Sequence, residues 1–258
     1  MNLTETVDKP ALQPSSFLEA IDPLTVRLRA ELTAAAPGSA RAEALLRLAE
    51  RLAGILDDEA LDYARQALVE AGVDDALRAW SCAVRTEASF YSQDESGALE
   101  ASYEGQQWAQ AAGRPGLEAR VLVYRGMLLG GYGDLDRAIL LYRQAIGLLG
   151  VPADSDRTGW RHLATAWTQL AAILAGAGRT DEAREGYWSA VAAAERVELY
   201  QGWPPILNGL LQLLIHQQRW DEARRVVEMS KAAWTTLARF FPANPRRPFA
   251  WSTTRLPG

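Results

Sequence analysis

Apolar and small residues along this chain fall at helical spacing, and the same arrangement keeps returning. Residues 131–147, GYGDLDRAILLYRQAIG, pass from a Gly-Asp turn into a stretch where Ala138, Tyr142 and Ala145 fall at i, i+4 and i+7. Those intervals place all three side chains on one stripe of a 3.6-residue helix. The turn and its small residue recur in GRTDEAREGYWSA at 178–190 and QRWDEARRVVEMS at 218–230, and more weakly around Ala98 and Ala60. The anchors Ala60, Ala98, Ala138, Ala183 and Ala223 are spaced by 38, 40, 45 and 40 residues. A loose period of this kind is what stacked structural repeats leave in a sequence.

Each anchor helix is preceded by another apolar-periodic segment. The stripes are Leu45, Leu48, Ala49 and Leu52; then Leu122, Gly126 and Leu129; then Trp167, Leu170, Ala171 and Leu174; then Leu207, Leu210, Leu211 and Leu214. Each predicts a helix that turns one face toward its anchor partner. The copy before Ala98 (Cys82, Arg85, Thr86, Ser89) fits badly because its positions are polar. Gly113 followed by Pro115 stops one helix and starts the next, and Pro204-Pro205 suits a helical first turn. The linker GVPADSDRTG at 150–159 accounts for the one long interval. No alternating strand pattern bounded by hairpin turns occurs.

The expected organisation follows. Residues 1–14 are expected to be disordered. An N-terminal capping helix occupies 15–38, where Ser16-Phe-Leu-Glu19 resembles a capping box and Asp22-Pro23 opens a helix. A helical repeat domain fills 39–241, and an irregular Pro/Arg-rich tail 242–258.

The repeats resemble tetratricopeptide (TPR) repeats. The residues that carry the resemblance are Leu122, Gly126, Leu129, Gly133, Asp134, Ala138, Tyr142 and Ala145, and again Trp167, Leu170, Ala171, Leu174, Gly178, Ala183, Tyr187 and Ala190. The third copy keeps Ala223 but has Val227 and Ser230 where an aromatic and Ala are usual. Periods near 40 look more like the longer variants in kinesin light chains and bacterial regulators than the 34-residue repeat. The resemblance implies an all-α fold, a right-handed superhelical solenoid of about five antiparallel helix pairs with an extra N-terminal helix. It also implies a groove lined by the first helices, in which TPR proteins usually hold a ligand. Aligned on the motif, the groove-facing residues are Arg120, Val123, Met127, Thr165, Thr168, Asn208 and Gln212, joined by Trp80 and Glu87.

Charge and composition narrow the function. With 27 basic and 32 acidic residues the chain carries a net −5, and Lys occurs only at positions 9 and 231. Nucleic-acid affinity begins with a basic stripe, so no nucleic-acid partner is expected. No apolar run is long enough for a membrane span and no signal peptide is evident, so a cytoplasmic protein is expected. Cys82 is alone, which excludes an internal disulfide and a cysteine zinc cage. His162 and His216 lie on different helices and no catalytic, Walker or dinucleotide motif occurs, so neither enzyme activity, metal nor cofactor is expected. The paired acids Asp57-Asp58-Glu59 and Asp181-Glu182 open helices, where they offset the macrodipole. Among the Trp residues, Trp167 and Trp188 are expected to pack in the repeat core.

The last predicted helix, from Trp220 to about Phe241, is apolar on a face that a terminal repeat should keep polar. Trp234, Leu237, Phe240 and Phe241 are therefore candidates for self-association. The tail then changes composition abruptly. Three explanations stand side by side: it folds back over the last helix, the exposed face makes a dimer, or the array is truncated, as when a GC-rich gene is read out of frame. The leading expectation is a non-enzymatic scaffold for a protein or peptide partner, resembling the N-terminal TPR regions of bacterial GGDEF cyclases or transcriptional regulators. Two alternatives stand beside it: a small-molecule or peptide-pheromone sensor, and a homodimerisation module built on the C-terminal helix.

Overall fold

The computed structural model describes residues 22–53, 59–197 and 202–240, the last stretch without the side chains of 233, 234 and 236–240. Among the described residues there are eleven helices and no strand. Helix α1 (Pro23–Ala34) comes first, then α2 (Ser39–Ala53) with α3 (Glu59–Glu70), α4 (Asp75–Tyr91) with α5 (Glu95–Ala111), and α6 (Pro115–Gly131) with α7 (Leu135–Leu149). Helices α8 (Arg157–Gly176) with α9 (Thr180–Ala194) and α10 (Trp203–His216) with α11 (Trp220–Phe240) complete the order. The chain divides into two compact units, Met1–Arg137 and Ala138–Gly258, with the boundary inside α7.

In the first unit, successive helices from α1 to α6 pack on one another, and α2 also meets α4 while α4 meets α6. The alternate helices α2, α4 and α6 thus form one layer, with α3 and α5 laid against it. Its core joins Leu45, Leu48 and Leu52 of α2 to Ala60, Ala64 and Ala67 of α3 and to Val84 and Ala88 of α4. Three alanines on one face let α3 approach closely, since a small side chain is the only spacer between backbones. Gly105 serves the same purpose in α5, where an added Cβ would stand 2.9 Å from Cys82 Cβ and 3.0 Å from Val121 Cγ1.

In the copy that fits the pattern badly, every residue from Ser81 to Ser89 is buried except half-buried Arg85. Cys82, Thr86 and Ser89 are all buried in α4. Thr86 Oγ1 donates to the Cys82 carbonyl at 2.8 Å, and neighbouring Ser81 Oγ donates to the Ala64 carbonyl at 2.6 Å. A hydroxyl satisfied by backbone in this way packs as a small residue would, which a hydrophobicity pattern does not register.

In the second unit α8 packs on α9, α9 on α10 and α10 on α11, and α8 also meets α10. Leu170, Ala171 and Leu174 face Ala183, Tyr187 and Ala190 across the first interface, all of them buried. Tyr187 reaches the next helix, where an added Cβ on Gly209 would lie 2.6 Å from its Cζ. All five anchors are buried, with Ala60, Ala98, Ala138 and Ala183 at 0 % exposure and Ala223 at 6 %.

The turns repeat as strictly as the anchors. The N–H groups of Asp94, Arg114, Asp134, Arg179 and Arg219 donate to the carbonyls of Ser89, Ala109, Leu129, Leu174 and Leu214 at 2.8–2.9 Å. Each bond reaches back five residues over a left-handed residue, the hallmark of a Schellman helix end. Glycine supplies that conformation at 113, 133 and 178, but Gln93 (φ 62°) and Gln218 (φ 57°) adopt it too.

The capping box at 16–19, the stretch expected to be disordered (1–14), Asp57-Asp58 and the tail at 242–258 lie outside the described residues.

Candidate functional site

The residues assigned to a groove by the repeat alignment do not share one environment. In α6, every residue from Glu118 to Gly126 is buried. Arg120 and Val123 are 1 % and 0 % exposed, and Glu87 on α4 is 0 % exposed. The groove expected from the alignment is therefore not open at Arg120, Val123 or Glu87. An apolar stripe identifies one face of a helix, whereas α6 is apolar or small nearly all round, and such a helix is buried on all sides. Met127 is half-buried, and half-buried Trp80 packs against the N-terminal core. In the second unit Thr165 and Thr168 are half-buried, with hydroxyls donating to the Arg161 and Ala164 carbonyls at 3.0 and 2.6 Å. Asn208 is half-buried and Gln212 is exposed.

In place of a groove, the first unit has an ion cluster. Arg120 donates through Nε and Nη2 to Glu87 Oε2 at 3.0 and 2.5 Å, and through Nη1 to Glu50 Oε1 at 2.6 Å. Glu50 belongs to α2, which does not otherwise pack on α6. Burial works against the guanidinium's charge, but Glu87 and Glu50 outweigh it and hold Arg120 above its ordinary value. A second arginine, Arg125, donates to Ser102 Oγ at 2.9 Å and Gln106 Oε1 at 2.8 Å and lies 3.9 Å over the Tyr103 ring. Glu118 accepts from Gln106 and Gln110 at 3.0 and 2.6 Å. These hydrogen bonds tie α6 to α2, α4 and α5. Glu50 and Arg125 escape a sequence reading; the one available signal, for Arg125, is a charge set inside the apolar run Val121–Leu129.

One opening toward solvent lies in the second unit. A half-open cleft of about 320 Å³ has Trp167, Leu170 and Leu174 of α8 as its floor. Arg143 and Ile146 of α7 form one wall, and Glu182, Glu185 and Gly186 of α9 the other. Gly186 is what brings α9 down onto α8, since an added Cβ would be 3.1 Å from Ala171 Cβ. Glu182 accepts from Arg179 Nε and Nη2, both at 2.6 Å, while Arg143 Nη2 stands 3.8 Å away. The hydrogen bonds from Arg179 hold the Glu182 carboxyl below its usual range. Trp167, expected in the repeat core, is half-buried and lines this cleft; half-buried Trp188 lies 5.5 Å beneath the guanidinium of Arg225.

Chemical candidates stay apart. Cys82 is fully buried beside Arg85 and Glu104, and burial pushes its thiol up to about 11. His162 is buried, with Nδ1 2.7 Å from the Thr158 carbonyl, and His216 is exposed at the end of α10. Among the described residues no group of three or more His, Cys, Asp or Glu could hold a metal ion, and no helix is long and apolar enough to cross a membrane. The side chains of Trp234, Leu237, Phe240 and Phe241 lie outside the described residues.

No protein-family model matches the chain, and no curated protein matches it. Among solved structures it is similar to BtubC (BKLC) from P. vanneervenii, with a TM-score of 0.57 and 16 % identity over 91 % of this chain and 92 % of that one. At that identity the likeness is one of fold.

Proposed function

We propose that this chain is a TPR-like repeat scaffold whose helix pairs stack into a right-handed superhelix and whose role is to bind a protein or peptide partner. The observation that carries the reading is the buried alanine anchor in each pair, joined by a Schellman turn within four of the five pairs. Repeats of this kind cannot bury their faces alone, and stacking them leaves long solvent-facing surfaces between helices. The cleft over Trp167 is such a surface. Its volume is at the low end for small-molecule pockets, which enclose most of their ligand, and its half-open form suits a segment of chain better.

An array of short random peptides probed with the purified protein tests this. A subset should bind saturably and be displaced by the same peptides in solution. If the folded protein retains nothing beyond what its urea-unfolded form retains, the reading fails.

A further inference from the structure

We infer that the cleft between α7 and α9 takes an extended, basic peptide segment through one apolar side chain and one adjacent Arg or Lys. The inference rests on the peptide-binding reading above and gives it a site and a chemistry. Size comes first. A volume of about 320 Å³ corresponds to roughly ten waters at ~30 Å³ each, enough for one or two large side chains. The floor of Trp167, Leu170 and Leu174, with Ile146 beside it, offers mainly apolar contact.

The walls then set polarity. On the α9 side, Glu182 has both oxygens engaged by Arg179. Glu185, one turn farther along the same face, is exposed and makes no ion pair among the described residues. It is the acceptor available to an incoming cation. An incoming carboxylate would meet Glu185 and Glu182 on the α9 side, where Arg179 is already engaged, and only Arg143 on the α7 side would favour it. On the α7 side, Arg143 is about half exposed and stands 3.8 Å from a Glu182 already held by another arginine. It is free to swing toward a peptide carbonyl. Ser189, whose hydroxyl donates to the Glu185 carbonyl at 2.9 Å, keeps its lone pairs for a peptide N–H. A strand of peptide crossing from α7 to α9 therefore finds a donor, an apolar floor and an anion in that order. The chain's net −5 favours the approach of a basic partner over an acidic one.

Two fluorescein-labelled peptides in a Gly-Ser background test the assignment, one with a central Leu-Leu-Arg-Arg and the other with Leu-Leu-Glu-Glu. Fluorescence anisotropy with the wild-type protein should show the basic peptide binding at least about tenfold more tightly, a difference of about 1.4 kcal/mol. Glu185→Lys, an exposed substitution with no packing to disturb, should abolish or reverse that preference while leaving the thermal midpoint unchanged. Ile146→Glu should weaken both peptides. Equal binding of the two peptides, or a basic preference that survives Glu185→Lys, overturns the site. If array-selected peptides bind and ignore both substitutions, the scaffold reading stands and this cleft is excluded. If no peptide binds at all, both fall.

Discussion

Arg120 shows how much a single side chain can decide inside a helical array. It is buried with two carboxylates from α2 and α4, and removing it leaves Glu87 charged and enclosed. Breaking a buried pair from one side costs about 3–5 kcal/mol, whereas replacing both partners by apolar groups is often close to neutral. Arg120→Met is therefore expected to lower stability by about that amount in urea unfolding, and adding Glu87→Leu should recover most of it. A double variant as unstable as the single one would show that the cluster acts through something other than this pair. Cys82 gives a second residue-scale test. Burial raises its pKa from 9.0 to about 11, so folding favours the neutral thiol. The stabilisation is complete below pH 9 and is lost as pH rises through the folded-state value. Thiol-reactive dye should thus label native protein very slowly below pH 9 and quickly in urea. Rapid native labelling would contradict the burial.

At the scale of elements, the same helix end is built from different residues. Gln93 and Gln218 hold left-handed backbone where the other turns use glycine. A side chain there costs about 1–2 kcal/mol in backbone strain, part of which glycine returns as unfolded-state entropy. Both are exposed, so Gln93→Gly and Gln218→Gly should each raise stability by about 0.5–1 kcal/mol in urea unfolding. A loss of stability at both would mean that the glutamine side chains make contacts worth more than the strain. At 133 and 178 a Gly followed by a polar residue marks the turn in the sequence. At 93 and 218 the sequence carries no such mark, because a glutamine enters left-handed space only when the packing on either side demands it. Likewise a hydrophobicity pattern does not register the buried hydroxyls of Ser81 and Thr86 in α4, which backbone carbonyls satisfy.

At the scale of the molecule, each unit is a run of neighbour interfaces, and stability should be lost locally. Tyr187 is 5 % exposed between α8 and α10. Truncation to alanine is expected to cost about 3–5 kcal/mol, as it is for the buried Tyr142. Hydrogen exchange on Tyr187→Ala should show protection lost across α8 to α11 and kept in α2 to α4. Uniform loss along the chain would instead describe one cooperative block. The same locality explains why anchors could be found by period alone. A repeat writes its nearest-neighbour contacts into every copy.

What the sequence determined by itself was the helical order, the five alanine anchors and the positions of most turns. Those features depend on contacts within a few residues or at a fixed repeat distance, so spacing records them. Tertiary structure alone decided which charges are enclosed and which side chains meet solvent. Arg120, Glu87 and Glu50 come together across separations of 33 and 70 positions. Trp167, placed by the motif in the core, lines the cleft because Gly186 draws α9 against Ala171 on α8, with the walls rising from α7 and α9. Burial is a property of all the neighbours of a helix at once, and no single helix carries that in its period.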